Sequence, residues 1–209
     1  MLRGMVLAGG KSRRLGRDKA HIPLDGCSML ERMLGLVRSY CEEVYVSGRD
    51  ALAEGIDAQW IPDDEPGLGP IGGILSGLQR LGGPLLVLAC DLPLLTGETL
   101  EQLILARDAR PHDAVMTTYL QVETGYIESL VAIYEAEAAP YLRRALENGE
   151  HKLTNAIPPE LRHHIPYSHD EASVFFNLNY PADLALLKRF RATASHDNAH
   201  EDTRLEAAT

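Results

Sequence analysis

Val6-Leu7-Ala8-Gly9-Gly10-Lys11-Ser12-Arg13-Arg14-Leu15-Gly16-Arg17-Asp18-Lys19-Ala20 is the stretch on which the reading of this chain turns: a short apolar run breaks into two glycines and then into basic residues. Met5 to Ala8 read as a buried strand, and the glycines behind it let backbone approach a polyanion closely. Exposed N–H groups and Lys/Arg side chains supply positive potential where phosphates would sit. The spacing excludes two common phosphate loops. A P-loop needs Gly, four residues, then Gly-Lys-Ser/Thr, and a dinucleotide fingerprint needs G-x-G-x-x-G; Gly9-Gly10-Lys11-Ser12 fits neither. Charges in a loop are ordinarily solvated and do nothing specific. Directly behind a strand, at least one of these cations is expected to hold phosphate and offset charge on a leaving pyrophosphate.

Working outward, Met29, Leu30, Met33, Leu34, Leu36 and Val37 recur at helical spacing within 28–40. Val44-Tyr45-Val46 and Gln59-Trp60-Ile61-Pro62 read as short strands, and Ile71 to Leu81 as a helix despite Gly72, Gly73 and Gly77. Leu85 to Cys90 is an unbroken apolar strand ending at Asp91, and Thr96 stands where it can N-cap a helix through about Ala109. Ala114 to Thr118 and Ile127 to Tyr134 return as strands, and Glu135 to Glu147 is helical up to Asn148-Gly149. Val174 to Leu178 is expected as a last strand before a Pro181-started helix to Phe190. Apolar strands alternating with helices predict an α/β fold with a mostly parallel central sheet and helices on both faces. No repeat or linker interrupts residues 1–190, which read as one domain; 191–209 is polar without apolar period and reads as a flexible tail.

Asp91 is expected at the carboxyl end of the most apolar strand, where open α/β sheets bind ligands. A carboxylate there suits Mg²⁺, which takes one or two carboxylates plus phosphate oxygens and water; the competing reading is that Asp91 only turns the chain into Leu92-Pro93-Leu94. The segment from Asp63 joins an acidic turn to Gly69-Pro70-Ile71-Gly72-Gly73. Each helical glycine costs about 1 kcal/mol relative to alanine, so either another helix packs closely on these glycines or a flat base or sugar lies on their backbone. Asn177-Leu178-Asn179 puts two amides on one face of the expected last strand, where turn formation competes with ligand contact. His163-His164 and His169 have no acid or cysteine at ligand spacing and read as a solvated polar loop, and His21 as a packing or surface residue. There is no G-x-S-x-G elbow, and neither Ser12 nor Cys90 has a base at local spacing, so covalent nucleophilic catalysis has no support.

With 209 residues, 45% of them hydrophobic, the chain can bury one sizeable core. A net charge of -10 repels nucleic acid and anionic membranes, which leaves small ligands as partners. Leu85 to Cys90 is far too short to span a bilayer, and no signal peptide fits before the glycine loop, so a cytoplasmic location is expected. Cys27, Cys41 and Cys90 form no C-x-x-C pair and no even framework; they read as free thiols, without a structural zinc.

Together the motifs resemble the MobA-like nucleotidyltransferases, in particular the molybdenum cofactor guanylyltransferases. The loop Leu7-Ala8-Gly9-Gly10-x-Ser12-x-Arg14-Leu15-Gly16-x-Asp18-Lys19-Ala20 is similar to the family signature. Gly69-Pro70-Ile71-Gly72-Gly73, Cys90-Asp91-Leu92-Pro93 and Asn177-Leu178-Asn179-Tyr180-Pro181 are similar to its Gly-Pro-Leu-x-Gly, Cys-Asp-x-Pro and Asn-x-Asn-x-Pro segments, in the same order over residues 5–190. The resemblance implies a Rossmann-like three-layer nucleotidyltransferase fold and guanylyl transfer from GTP to the phosphate of molybdopterin, with Mg²⁺ and pyrophosphate release. It implies nucleotide contacts from Leu7, Ala8, Gly9, Gly10, Lys19, Asp63, Gly69 and Asp91, with Asp91 also holding the metal. Arg14, Lys19 and Asp91 take the catalytic roles, and Asn177 and Asn179 the acceptor side. Implied protein partners are molybdenum cofactor biosynthesis proteins or acceptor molybdoenzymes. Cytidylyl relatives tend to show Ala-Ala-Gly where this chain has Ala8-Gly9-Gly10, which favours guanine. The chain departs from the pattern twice: Ser47-Gly48 replaces a frequent asparagine, and Ser129-Leu130 behind Glu128 replaces Pro-Leu behind a small or polar residue. A cytidylyl or sugar-phosphate nucleotidyltransferase and a non-catalytic GTP-binding protein are the rival readings.

Overall fold

The computed structural model describes residues 1–9 and 18–187. The expectations for Gly10, Arg14 and the 191–209 tail lie outside them. Strand β1 (Arg3–Leu7) leads to the glycines, and past a single helical turn at Lys19–His21 the hairpin β2 (Pro23–Leu24) and β3 (Cys27–Ser28) closes on Asp25-Gly26, both at positive φ. Ser28 then caps α1 (Met29–Arg38), its hydroxyl accepting from the Glu31 N–H while the Glu31 carboxylate accepts from the Ser28 N–H. Strands β4 (Val44–Ser47) and β5 (Gln59–Ile61), helix α2 (Pro70–Leu81), strand β6 (Leu85–Ala89) and helix α3 (Gly97–Asp108) follow where the periodicity puts them. Strand β7 (Met116–Gln121) starts and ends later than expected. Next come β8 (Ile127–Tyr134), α4 (Ala139–Glu147), the short α5 (Leu153–Ala156) and β9 (Arg162–Tyr167), and residues 181–187 are helical.

The seven-stranded sheet has the order β5-β4-β1-β6-β8-β7-β9, and of the described strands β8 alone runs against the rest. Strand β6 explains the layering. Leu85 and Val87 pack with Met5, Ile71, Ile74, Leu78 and Leu142, the faces of α2 and α4. Leu86 and Leu88 pack with Val6, Leu30, Met33, Leu100 and Leu103, the faces of α1 and α3. A strand covered on both sides must be apolar at every position, because each fully buried side chain of this kind contributes about 1.5–3 kcal/mol. The result is three layers, with the carboxyl ends of β1, β4 and β6 opening at one edge of the sheet.

Two expectations are corrected. Val174 to Leu178 is not a strand: Val174 and Phe175 lie in a helical run at His169–Phe175, and Phe175 stacks on Tyr119 and Tyr167 with ring centroids 4.9 and 4.7 Å apart. The sheet edge it would have taken is occupied by β9, so His163-His164 belong to a parallel strand paired with β7 and not to a polar loop. Backbone pairing decides there, despite Pro166 and the absence of apolar alternation, and an edge strand tolerates both. Strand β8 also bulges. Thr118 pairs with Ala132 and Leu120 with Ile127, so the residues between them are pushed out of register. The Thr118 hydroxyl lies 2.8 and 3.2 Å from the carbonyls of Glu128 and Val131, and the Tyr134 hydroxyl donates to the Ser129 carbonyl at 2.8 Å.

Candidate active site

At the carboxyl edge of the sheet, the Ala8 N–H donates to the Ser47 carbonyl (3.0 Å) and the Cys90 N–H to the Leu7 carbonyl (3.1 Å), which binds the ends of β1, β4 and β6 into one rim. Gly9 lies against Gly48: at φ +89°, a Cβ on Gly48 would come within 2.3 Å of the Gly9 Cα. Only glycine lets the two loops touch there. The Ser47-Gly48 departure therefore has a structural role, and Ser47 has a second one, donating from its hydroxyl to the Asp63 Oδ1 at 3.0 Å.

A polar cluster at this edge gathers three distant parts of the chain. Lys19, on the turn that Asp18 caps, donates from Nζ to the Asp91 Oδ2 at 2.9 Å and to the Asn179 Oδ1 at 2.5 Å. The Asn177 amide, oriented by its hydrogen-bonding partners, donates to the Asp91 Oδ1 and Oδ2 at 2.6 and 2.9 Å. The Leu178 N–H donates to the Asp91 carbonyl at 2.9 Å, so the segment docks on the turn after β6 instead of extending the sheet. The Lys19 and Asp91 side chains are 17% and 18% exposed, so the pair is partly screened yet open to a ligand. The two asparagines do converge on the site, but from an irregular segment that Asp183 holds in place by accepting from the Asn179 and Tyr180 N–H groups.

Asp63 stands apart from this cluster, beside Ser47, at the next strand ends. Gly69, at φ +71°, starts α2 without any side-chain cap. Pro70 at its first position carries no N–H, and the Gly72 N–H donates back to the Gly69 carbonyl at 3.1 Å. Gly73 and Gly77 of α2 lie against the sheet and the residues at its strand ends. A Cβ on Gly73 would meet the Ser47 Oγ at 2.4 Å, and one on Gly77 would meet Leu85 at 2.9 Å and Met5 at 3.1 Å. Gly73 and Gly77 allow close approach to the sheet, while a Cβ on Gly72 would meet Leu68 in the preceding loop at 2.9 Å.

Arg49 escaped the sequence reading. Its guanidinium donates to the Ala8 carbonyl (3.0 Å), to Asp18 (2.9 Å) and to Glu54 (3.1 Å), and its side chain is only 10% exposed. It ties together the two residues that flank 9–17. A basic residue directly after Ser47-Gly48 was the available signal. His21 faces the same group, 3.3 Å from Arg49 and 3.2 Å from Glu54. Cys90 is inert by contrast: burial, reinforced by the neighbouring Asp91 charge, pushes its thiol up to about 12, so no thiolate stands ready at neutral pH. Cys27, Cys41 and Cys90 are all free.

Among the described residues, no three His, Cys, Asp or Glu side chains gather as a metal cage. What Asp91 offers is a single carboxylate, a donor set that fits Mg²⁺ when substrate phosphates and water complete the shell. Beside Asn177 a cleft of about 300 Å³ opens, walled by Pro70, Leu92 and the bulge of β8. No described helix is long and apolar enough to cross a membrane.

A mostly parallel sheet with a glycine loop after its first strand and a Lys–Asp pair at its carboxyl edge is the architecture of a nucleotidyltransferase. The MobA-like NTP transferase domain matches residues 4–164, and the chain belongs to that family. A probable molybdenum cofactor guanylyltransferase of Chloroflexus aggregans is 34% identical over 208 residues, covering 93% of this chain and 97% of that protein. One from Mycobacterium tuberculosis is 35% identical over 165 residues, 75% of this chain and 79% of its own. The crystal structure of molybdopterin-guanine dinucleotide biosynthesis protein A from Archaeoglobus fulgidus superposes with a TM-score of 0.73 at 27% identity, over 91% of this chain and 99% of that one.

Proposed function

We propose that this chain transfers the guanylyl group of GTP to the terminal phosphate of molybdopterin and releases pyrophosphate. The observation that carries the reading is the Lys19–Asp91–Asn177–Asn179 cluster at the carboxyl edge of a MobA-like fold; the similarity to two proteins named as probable molybdenum cofactor guanylyltransferases supports GTP and molybdopterin as the substrates.

The phosphomonoester of the acceptor has a second pKa of about 6 and is dianionic at neutral pH, so its oxygen needs no strong base. It attacks the α-phosphorus, the new P–O bond forms as the α–β bridging bond breaks, and pyrophosphate leaves with the electron pair. The protein's task is to align two polyanions and neutralise them. Lys19, held between Asp91 and Asn179, supplies a fixed positive charge for the departing phosphates. Asp91, oriented by Asn177, is the residue that would hold Mg²⁺, which when bound would withdraw charge from the phosphoryl oxygens. The backbone of Leu7, Ala8 and Gly9, the Asp63 carboxylate and the α2 N-terminus at Gly69 line the nucleotide side, with Gly10 assigned there from the family signature and Arg14 assigned from it to the same catalytic, neutralising role as Lys19. Asn177 and Asn179 face the acceptor. We assign the reaction to the cytoplasm, where free thiols persist, and its product to molybdenum cofactor biosynthesis proteins or acceptor molybdoenzymes.

The test is pyrophosphate release from GTP, Mg²⁺ and molybdopterin, with CTP in parallel. GTP-dependent release is expected, and Asp91→Ala should lower it by roughly a hundredfold to a thousandfold, the scale of losing one preorganised electrostatic group. Release driven by CTP alone, or full activity of Asp91→Ala, overturns the reading.

A further inference from the structure

The cleft beside Asn177 carries a feature outside the family pattern. Glu128 lines it, on the bulge of β8, and burial holds its carboxyl above the ordinary range although the Tyr167 hydroxyl donates to its Oε1 at 2.5 Å and pulls the other way. Among the described residues no cation pairs with Glu128 at ion-pair distance. A carboxylate has about four acceptor positions, and Tyr167 takes one. Ser129, next to it and also lining the cleft, is 6% exposed, and its Oγ has no hydrogen-bond partner. Buried carboxylates have their acceptor positions filled in the great majority of cases, so a half-buried carboxylate with one donor, lining a cavity, marks a place where a ligand's donors fit. Tyr126, 55% exposed, and Leu130 give the cleft flat and apolar surface, and Asn177 joins it to Asp91.

We propose that Glu128, presented by the β8 bulge, recognises the 2-amino-4-oxo-pyrimidine edge of the acceptor's pterin, accepting hydrogen bonds from its N3–H and 2-amino groups, with Tyr167 fixing the carboxylate. This assignment rests on the acceptor being a pterin phosphate, as proposed above. A carboxylate matches that edge because N3–H and 2-NH₂ are adjacent, parallel donors, the arrangement by which a guanidinium meets a carboxylate. A desolvated carboxylate gains most from them, since an unpaired charge in a cleft is costly and a bidentate partner restores what water supplied. The bulge is what makes the presentation possible: Thr118 and Tyr134 pin its carbonyls, so the residues at 128–129 stand off the ladder.

Guanine carries the same edge, so the test separates the two sources. Intrinsically fluorescent 6-hydroxymethylpterin and 6-hydroxymethyllumazine, in which a 2-oxo acceptor replaces the 2-amino donor, are titrated against the full chain, and GTP binding is measured separately. The wild-type protein is expected to bind the pterin at least tenfold more tightly than the lumazine, a factor that corresponds to about 1.4 kcal/mol. Glu128→Gln, whose amide can donate to the 2-oxo group, should erase or invert that preference and leave GTP affinity within twofold. Tyr167→Phe keeps the carboxylate but removes the hydrogen bond that fixes it, and should narrow the preference for pterin without inverting it. Equal binding of pterin and lumazine by the wild-type protein, or retained preference in Glu128→Gln, overturns the assignment. So does a preference unchanged in Tyr167→Phe, or a parallel loss of GTP affinity in Glu128→Gln, which would make guanine the ligand. Failure of guanylyl transfer itself would be read from pyrophosphate release, and pterin discrimination is measured without that reaction.

Discussion

Arg49 bridges Ala8, Asp18 and Glu54 from a side chain that is almost covered. Hydrogen bonds to charged groups contribute about 1.5–3 kcal/mol each when removed singly, less when the partners can reach water. Asp18 and Glu54 are 41% and 32% exposed, so Arg49→Ala is expected to lower stability by roughly 1–3 kcal/mol in urea denaturation. It should also raise the KM for GTP more than it lowers kcat, because the residue acts on the entry to the glycine loop and not on phosphate; an unchanged KM would show that the clamp is only structural. Arg49→Lys should recover little, since one ammonium cannot serve a forked set of acceptors. Glu128 makes the opposite kind of prediction. Burial raises its carboxyl from the ordinary 4.5 of a free glutamate, so the folded state holds the proton more tightly than the unfolded one. Stability then falls as pH rises above about 4.5 through the raised folded value, and no penalty exists below it. Glu128→Gln should therefore melt above the wild-type protein at pH 7, with the gap closing towards pH 4.5; a gap that does not change with pH would show that the carboxylate is not destabilised by burial.

At the scale of elements, α1 and α2 make the same substitution give opposite signs. A methyl added at Gly35 in α1 would meet nothing within 4 Å, so Gly35→Ala should stabilise by up to about 1 kcal/mol from helix propensity alone. Gly73 in α2 would put that methyl on the Ser47 Oγ and near Asp63 and Leu7, so Gly73→Ala is expected to cost about 1–3 kcal/mol and to weaken GTP binding by displacing Asp63. Equal signs in the two denaturation curves would refute the account of α2 as a helix pressed onto the sheet. The same elements show what a sequence can disclose. Strand β6 and helices α1 and α2 were legible because burial on one or both faces writes a period into the residues, α3 because Thr96 marks its start, and Asp91 because it ends the most apolar strand. Strand β9 was not: it carries Arg162, His163, His164 and Pro166, and its place comes from pairing with β7, which leaves no apolar period. Asn177 and Asn179 were legible as residues but not as geometry, since hydrogen bonds to Asp91 and Lys19 hold them where a ladder was expected. The contact of Gly9 with Gly48 and the reach of Arg49 are tertiary facts with no local signature.

For the whole molecule, the decisive property is that one mouth draws on segments spread over most of the chain. Leu178, fully buried, packs with Ile22, Leu24 and Met29, so the late segment bearing Asn177 and Asn179 is welded to the hairpin that follows Lys19. Ligand binding at that mouth must then stabilise the fold as a unit, not one loop of it. Mass action gives the size: at a hundred times Kd a ligand adds about 2.7 kcal/mol, which for a chain of this length raises Tm by roughly 5–10 °C. GTP with Mg²⁺ is expected to produce that shift, and chelating the metal should remove much of it. In Asp91→Ala the metal-dependent part should vanish while the melting transition of the free protein stays cooperative, because Lys19 retains Asn179 as a partner. Leu178→Ala should instead lower the free protein's stability by about 2–5 kcal/mol, the usual cost of a leucine-to-alanine cavity, and blunt the shift from GTP whether or not Mg²⁺ is present. A metal-dependent shift of full size in Asp91→Ala would remove the carboxylate from the nucleotide's side of the reaction and leave the Lys19–Asp91 pair as a strut between two ends of the chain.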